Sequence, residues 1–292
     1  MYGDCSTPVF PVNDALTMIR LALAEDVRTG DVTSEWTIPA DQKQHARLIA
    51  KEDGVLAGLP VIELVFQELK ANVKVTLHKK DGDVVKKGDL IAEMDGTTHE
   101  LLTGERTLLN FIQQLSGVAT VAHTFQEALK GGKTKVLDTR KTVPGFRTLQ
   151  KYAVRVGGGS NHRMGLFDMV LVKDNHIAAA GGVLQALEVV KKNNKQGLMV
   201  EMEVENFDQL RALLNKGVDV IMLDNMSNEM MTEAVSTIKA AGKGIKTEAS
   251  GNMSIPRLLE VAATGVDFIS VGALTHTVKA MDISMNIQVE NK

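Results

Sequence analysis

In the second half of the chain, short runs rich in valine, isoleucine and leucine end on residues that can do chemistry. Val136–Thr142 ends in Asp138, Arg140 and Lys141. Met169–Asn175 ends in Lys173 and Asp174, with His176 just beyond. Leu198–Glu205 ends in Glu203 and Glu205, and Val218–Asn225 in Asp224. The loop Gly157-Gly158-Gly159-Ser160-Asn161-His162-Arg163 lies between the first two runs. Ser250-Gly251-Asn252 and Gly272 close the last two, Lys243–Gly251 and Val266–Ala273. Arginine grips a carboxylate or phosphate through two parallel hydrogen bonds, and lysine supplies a compact point charge. Glu203 and Asp224 are oxygen donors of the kind that hold Mg²⁺ together with substrate oxygens and water. Ser250-Gly251, just ahead of a helix expected to start near Ser254, offers backbone N–H groups to a phosphate. Gly272 lets backbone approach a ligand closely. Cations and carboxylates gathered in this way suit a polyanionic ligand bound with a divalent metal.

Taken singly, each residue has an ordinary structural explanation. An Asp or Lys at a strand end more often caps an element or makes a surface salt bridge. The triple glycine has the wrong spacing for a dinucleotide fingerprint, and no strand leads directly into it. A lone histidine such as His162 is more often structural, and His45, His99 and His123 are read that way. The constellation differs from its members because independent segments bring charge to the same end of their strands.

The elements that must position these residues alternate between strand and helix. Helical spacing runs over Val183–Lys192 and Phe207–Asn215, the latter with Asn206 as N-cap and Gly217 as stop. Ser227 or Asn228 caps a helix running to Ala241, and Ser254 with Pro256 opens another. Such alternation means parallel strands joined by crossovers. Continuous apolar strands suit a sheet buried on both faces. A barrel is favoured over an open sheet because barrel strand ends converge on one face. The first half reads differently. Asn13–Glu25 is helical, Gln44–Ala50 and Val73–His78 alternate as half-exposed strands, and Asp81-Gly82 and Lys87-Gly88 mark tight turns. Leu108–Lys130 reads as two helices, or one broken near Gly117. The division is an α/β layer domain over residues 1–114 and a barrel domain from 115 to 276.

The chain has 292 residues and a formal charge of −3, a balance that argues against a nucleic-acid binder dominated by phosphate contacts. Its one cysteine, Cys5, precludes an intramolecular disulfide and fits a reducing, cytoplasmic setting. Met1–Asp14 lacks a basic segment followed by an apolar core, so no secretory signal is expected. Gly54–Phe66 is too short and too interrupted to span a membrane.

The string DTRKTVPGFRTLQKYAVRVGGGSNHRMGLFDMVLVKDNHI (Asp138–Ile177) resembles the core of the quinolinate phosphoribosyltransferases. ERTLLNFIQQLSGVAT (Glu105–Thr120) resembles that family's preceding helix, and LALAEDVRTGDVTS (Leu21–Ser34) its N-terminal pattern. EVE (Glu203–Glu205), LDN (Leu223–Asn225), EASGN (Glu248–Asn252) and SVGALTH (Ser270–His276) follow in the family's order. The resemblance covers nearly the whole chain. It implies an α/β fold: an N-terminal α/β sandwich-like domain plus a C-terminal incomplete TIM-like α/β barrel, with residues 277–292 packing back on the first domain. It implies transfer of phosphoribosyl from phosphoribosyl pyrophosphate to quinolinate with loss of CO₂, as a step of NAD biosynthesis.

By the same resemblance Arg140, His162, Arg163 and Lys173 form the dicarboxylate pocket. Arg106 comes from the neighbouring subunit of a homodimer or dimer-based higher oligomer. Lys141, Glu203 and Asp224 surround phosphoribosyl pyrophosphate and its Mg²⁺, while Ser250, Gly251, Gly272 and His276 hold phosphate groups. Neither an organic cofactor nor a nucleic-acid or membrane partner is implied. Glu201, Glu203 and Glu205 alternate on one side of a strand, so geometry does not choose among them. The family spacing to Asp224 favours Glu203, with Glu201 next. Three rivals stand beside this reading. One is a sister transferase acting on another base, such as nicotinate, which would need fewer cations. Another is a Schiff-base aldolase using Lys141 or Lys173. The third is a non-catalytic anion-binding protein on the same scaffold.

Overall fold

A computed structural model describes residues 8–242 and 244–288; Cys5 and the start of the Met1–Asp14 segment lie outside them. The described chain forms two compact units. One comprises 124–141 and 159–273, the other 8–123, 142–158 and 274–288. In chain order the helices and strands are α1 (Val12–Asp26), α2 (Val32–Thr37), β1 (Lys43–Ala50), β2 (Gly54–Val55), α3 (Pro60–Glu68), β3 (Lys74–Leu77), β4 (Val84–Val85), β5 (Leu90–Thr97) and α4 (Thr98–Ala128). They continue with β6 (Lys135–Leu137), α5 (Arg147–Val156), β7 (Val170–Val172), α6 (Asp174–Ala180), α7 (Val183–Asn193), β8 (Val200–Val204) and α8 (Phe207–Leu213). The last are β9 (Val220–Asp224), α9 (Asn228–Ala240), β10 (Lys246–Ser250), α10 (Ile255–Ala263), β11 (Phe268–Ser270), α11 (Ala273–His276) and β12 (Ile283–Gln288).

The first unit is built on a six-stranded parallel sheet in the order β6-β11-β10-β9-β8-β7. It is an α/β barrel that stays incomplete, since β6 and β7 are edges that do not pair with each other. β8 is buried along its whole length and β9 up to its last residue, as parallel strands with apolar runs are. The helices start where side-chain caps satisfy free N–H groups. Asn206 accepts from Gln209 N at 2.9 Å, Ser227 from Met230 N at 3.2 Å, and Ser254 caps α10, with Pro256 in its first turn. α8 ends earlier than its spacing suggests, at Leu213. Leu214 turns extended and Asn215 takes a φ of 60°, so the chain has left the helix before Gly217. Several apolar runs are longer than their strands. Asp138–Thr142 lies beyond β6, and this overhang is what puts polar side chains at the mouth.

The second unit holds an antiparallel sheet in the order β12-β1-β5-β3 and a small β2-β4 pair. α4 runs unbroken through Gly117, contrary to the break expected there. A Cβ at residue 117 would lie 2.3 Å from the Lys279 carbonyl oxygen. The glycine therefore serves a close backbone approach, not a break. No helix among the described residues is long and apolar enough to cross a membrane.

Gly117→Ala is expected to destabilise the protein by about 1–3 kcal/mol, because backbone rather than a flexible side chain must yield; denaturant unfolding measures it. On the same sheet His45 faces Asp95 across β1 and β5, with Nδ1 2.8 Å from Oδ1, and Nε2 lies 3.3 Å from Glu93. The bond to Asp95 raises the His45 pKa; burial opposes the rise and Glu93 assists it. A raised folded value means that the stabilisation is fully present below the ordinary pKa of about 6.5 and fades as pH rises through the folded value. NMR titration should show the His45 midpoint above that of a free histidine, and Asp95→Asn should lower it.

Candidate active site

The ends of the parallel strands enclose a cavity of about 350 Å³, within the usual range for small-molecule sites. Arg140, Lys141, His162, Arg163 and Lys173 all line it. Leu171 and Met222 form an apolar part of the wall and pack with Met169. Ser250, Ser270 and Glu248 complete the polar side. Among the described residues, the buried Nε of Arg140 meets no protein acceptor. Such a donor is expensive to leave unpaired, and an anion in the cavity would satisfy it.

Buried carboxylates hold these cations and their loops. Asp138 is fully buried; it accepts from Asn161 Nδ2 at 2.5 Å and from His162 N at 2.9 Å. It thereby fastens the glycine-rich loop to the end of β6. Arg163 is buried, and its Nη1 donates to the Met169 carbonyl at 3.3 Å. His162 Nε2 lies 3.1 Å from Glu201 and 3.6 Å from Glu248, both fully buried. Ser270 Oγ donates to the other oxygen of Glu248.

Strand register separates carboxylates that look equivalent in the sequence. Glu203, Met222 and Glu248 stand side by side on β8, β9 and β10, and Asp224 pairs with Ser250 two residues further on. Glu201 lies deeper on β8 and meets His162. Glu203 is 3.7 Å from Lys173, and Glu205 is exposed beyond the strand. Glu203, Glu205, Asp174 and Gln209 line a second, acidic cavity of about 420 Å³. The Lys173–Glu203 pair thus links two cavities, Lys173 lining one and Glu203 the other. Burial pushes the Glu203 carboxyl above the usual range; Lys173 opposes the shift, while Asp224 and Asp174 add to it. Two carboxylates that raise each other's energy in this way are a chemically suitable donor set for a divalent cation.

Gly251 has a φ of +116°, and a Cβ there would sit 2.5 Å from Asn225 Oδ1. Asn225, itself at a φ of 51°, donates from Nδ2 to Asp224 at 2.7 Å. The turns after β9 and β10 therefore fit only with glycine at 251. Gly272 lies two residues past the end of β11, after Val271. Arg106 and His276 belong to the other unit. Arg106 is exposed on α4; His276 is exposed at the end of α11, with Nδ1 against Thr277 Oγ1. Sequence reading did not find Glu248 as a partner of His162, nor Met222 and Leu171 as cavity wall. No spacing rule links β8, β10 and the glycine-rich loop.

An α/β barrel whose strand ends set arginines and lysines over buried carboxylates defines a protein built to bind a compact polyanion. Residues 31–116 match the quinolinate phosphoribosyl transferase N-terminal domain and residues 118–286 its C-terminal domain. The chain therefore belongs to the quinolinate phosphoribosyltransferase family. The chain is 45% identical over 268 residues to the probable nicotinate-nucleotide pyrophosphorylase [carboxylating] of Bacillus subtilis, covering 92% of this chain and 91% of that one. It is 42% identical over 302 residues to the chloroplastic nicotinate-nucleotide pyrophosphorylase [carboxylating] of Arabidopsis thaliana, covering 97% and 85%. The solved nicotinate-nucleotide pyrophosphorylase of Francisella tularensis superposes with a TM-score of 0.91 at 42% identity, covering 97% of this chain and 99% of that one.

Asp138→Ala should lower stability by about 1–3 kcal/mol, since it leaves the buried His162 N–H without its acceptor. Thermal unfolding monitored beside substrate binding checks this, and an unchanged melting temperature would mean that the loop is held by other contacts.

Proposed function

We propose that the protein transfers the phosphoribosyl group of phosphoribosyl pyrophosphate to quinolinate and releases CO₂. The products are nicotinate mononucleotide and pyrophosphate, in a step of NAD biosynthesis. The observation that carries this reading is the small cavity in which Arg140, Lys141, Arg163 and Lys173 converge beside an apolar wall. Quinolinate is a flat ring with two adjacent carboxylates, so it matches both features. Four such cations exceed what a monocarboxylate such as nicotinate needs. Neutralising them with a dianion offsets part of the cost of keeping the buried Arg163 and half-buried Arg140 from water. Lysines flanked by arginines, with Lys173 paired to Glu203, suit anion binding better than Schiff-base chemistry.

In the reaction the pyridine nitrogen attacks C1 of the ribose. The C1–O bond breaks and its electron pair leaves with pyrophosphate. The transition state resembles a ribosyl oxocarbenium ion, so the protein's part is positioning and charge stabilisation. Arg140, Arg163 and Lys173 would hold the dicarboxylate, with His162 in the same pocket and the ring against Met222 and Leu171. Lys141, Ser250, Gly251 and Gly272 would hold phosphate groups of the donor. Glu203 and Asp224 would hold Mg²⁺, which when bound supplies positive charge beside the pyrophosphate. After alkylation the bond from C2 to its carboxylate breaks and CO₂ departs. The electron pair stays on C2 beside the cationic nitrogen, so the ring itself is the electron sink and no organic cofactor is required. A proton then reaches C2, from Lys141 or from water.

We also infer a homodimer, or an oligomer assembled from dimers, in which Arg106 serves the neighbouring subunit's site. Arg106 is exposed on α4, where a neighbouring subunit can reach it, and on the other unit the adjacent Leu166 and Phe167 are both left exposed. The reactants are water-soluble anions, which suits a cytoplasmic enzyme.

Purified protein incubated with phosphoribosyl pyrophosphate, Mg²⁺ and either quinolinate or nicotinate tests the assignment by mass detection of nicotinate mononucleotide. Product from quinolinate alone is expected. Product only from nicotinate would overturn the dicarboxylate pocket, and no product from either would favour a non-catalytic or differently specific protein. Arg140→Ala is expected to lower kcat/KM for quinolinate about a hundredfold, the loss typical of a buried charged hydrogen-bond partner.

A further inference from the structure

Beneath the cations lie two carboxylates that the proposed reaction does not use, Glu201 on β8 and Glu248 on β10, gathered on His162 of the glycine-rich loop. All three are buried, and their ligand-type atoms lie within 4.8 Å of one another. A histidine and two glutamates so close could be a metal site or a hydrogen-bonded clamp, and the histidine decides between them. The backbone N–H of Arg163 donates to His162 Nδ1 at 2.7 Å. A backbone amide can only donate, so Nδ1 must present its lone pair and carry no proton. The ring proton of a neutral imidazole then sits on Nε2, pointing at Glu201 at 3.1 Å. A metal bound at Nε2 would need that nitrogen bare and the proton on Nδ1, where the Arg163 amide stands. An imidazolium would drive a second proton into the same amide.

We propose that Glu201 and Glu248 are positioning residues that lock His162 as its neutral Nε2–H tautomer, and that His162 in turn fixes the backbone of Arg163. The chain of contacts runs from the interior to the cavity. Ser270 orients Glu248. Glu248 and Glu201 receive the imidazole from below, Nδ1 takes the Arg163 amide, and the Arg163 side chain is tied to the Met169 carbonyl. Asp138 holds the neighbouring peptide through His162 N. The guanidinium of Arg163 is thus aimed by partners on β8, β10 and β11 and by Asp138 just past β6, and His162 lines the cavity without adding a positive charge to it. The two carboxylates also give the cationic cavity a negative floor, which keeps its arginines and lysines together before an anion arrives.

This inference rests on the quinolinate reading only for its kinetic arm. The direct test is NMR of the free protein carrying ¹⁵N-labelled histidine, with the His162 signal identified by its loss in His162→Gln. The expected pattern is an Nε2 bearing hydrogen and an Nδ1 without one. A ring protonated on Nδ1, or on both nitrogens, would overturn the proposal whatever the substrate proves to be. In the kinetic arm Glu201→Gln, whose amide oxygen still accepts from Nε2–H, should keep the quinolinate KM within about threefold, whereas Glu201→Leu should raise it about tenfold or more. The KM for phosphoribosyl pyrophosphate should move by less than about threefold in both variants. Equal loss in Gln and Leu variants, or equal loss for both substrates, would mean that Glu201 is not a positioning residue for the base pocket.

Discussion

Arg140, Lys141, Arg163 and Lys173 share one cavity of about 350 Å³, and their like charges oppose one another most at its inner end, where Arg163 is buried and Arg140 half-buried. The rest of the site is arranged around that repulsion. Asp138, Glu201 and Glu248 are fully buried, and Glu203 nearly so. Each is tied to the loop, the histidine or the lysine that borders the cavity. A carboxylate alone at such depth would be destabilising; a cation alone would be as well. Together they form a network in which each charge makes the burial of the next tolerable. A dianionic ligand would complete it.

The parallel barrel supplies the geometry that such a network requires. Every strand in the sheet runs the same way, so every strand end opens on the same side. Register then sets depth. Glu203, Met222 and Glu248 occupy one level, Asp224 and Ser250 the next, and Glu201 a deeper one. A shift of one residue on β8 would turn Glu201 away from His162 and Glu203 away from Lys173. The burial of β8 and β9 on both faces is what prevents it. The division of labour among carboxylates follows burial: the fully buried Asp138, Glu201 and Glu248 orient protein groups, whereas Glu203 faces Lys173 and Asp224 stays half-exposed.

Apolar contacts matter as much as charge. Met222 and Leu171 give the cavity a wall without hydrogen-bonding capacity, which suits the face of an aromatic ring and leaves its edges to the arginines. Gly251, squeezed against Asn225, is the corresponding device for backbone. It brings two turns together so that main-chain groups as well as side chains are available to a phosphate.

Much of this was legible in the sequence. The alternation of strand and helix, the caps Asn206, Ser227 and Ser254, and the polar residues at strand ends are all short-range signals, set by neighbours a few positions away. They sufficed to define an α/β barrel and to collect Arg140, Lys141, His162, Arg163 and Lys173 as candidates. Other features depend on segments distant in the chain. Whether α4 breaks at Gly117 is decided by the carbonyl of Lys279, which leaves no room for a Cβ there. Glu201 and Glu203 are indistinguishable by alternation. One meets His162 of the glycine-rich loop and the other Lys173, which stands just past the end of β7. The protonation pattern of His162 is likewise invisible in sequence, since it follows from the direction of a single backbone N–H. Periodicity and end chemistry travel with the chain, whereas depth in the barrel, and the partner met there, exist only once the strands have paired.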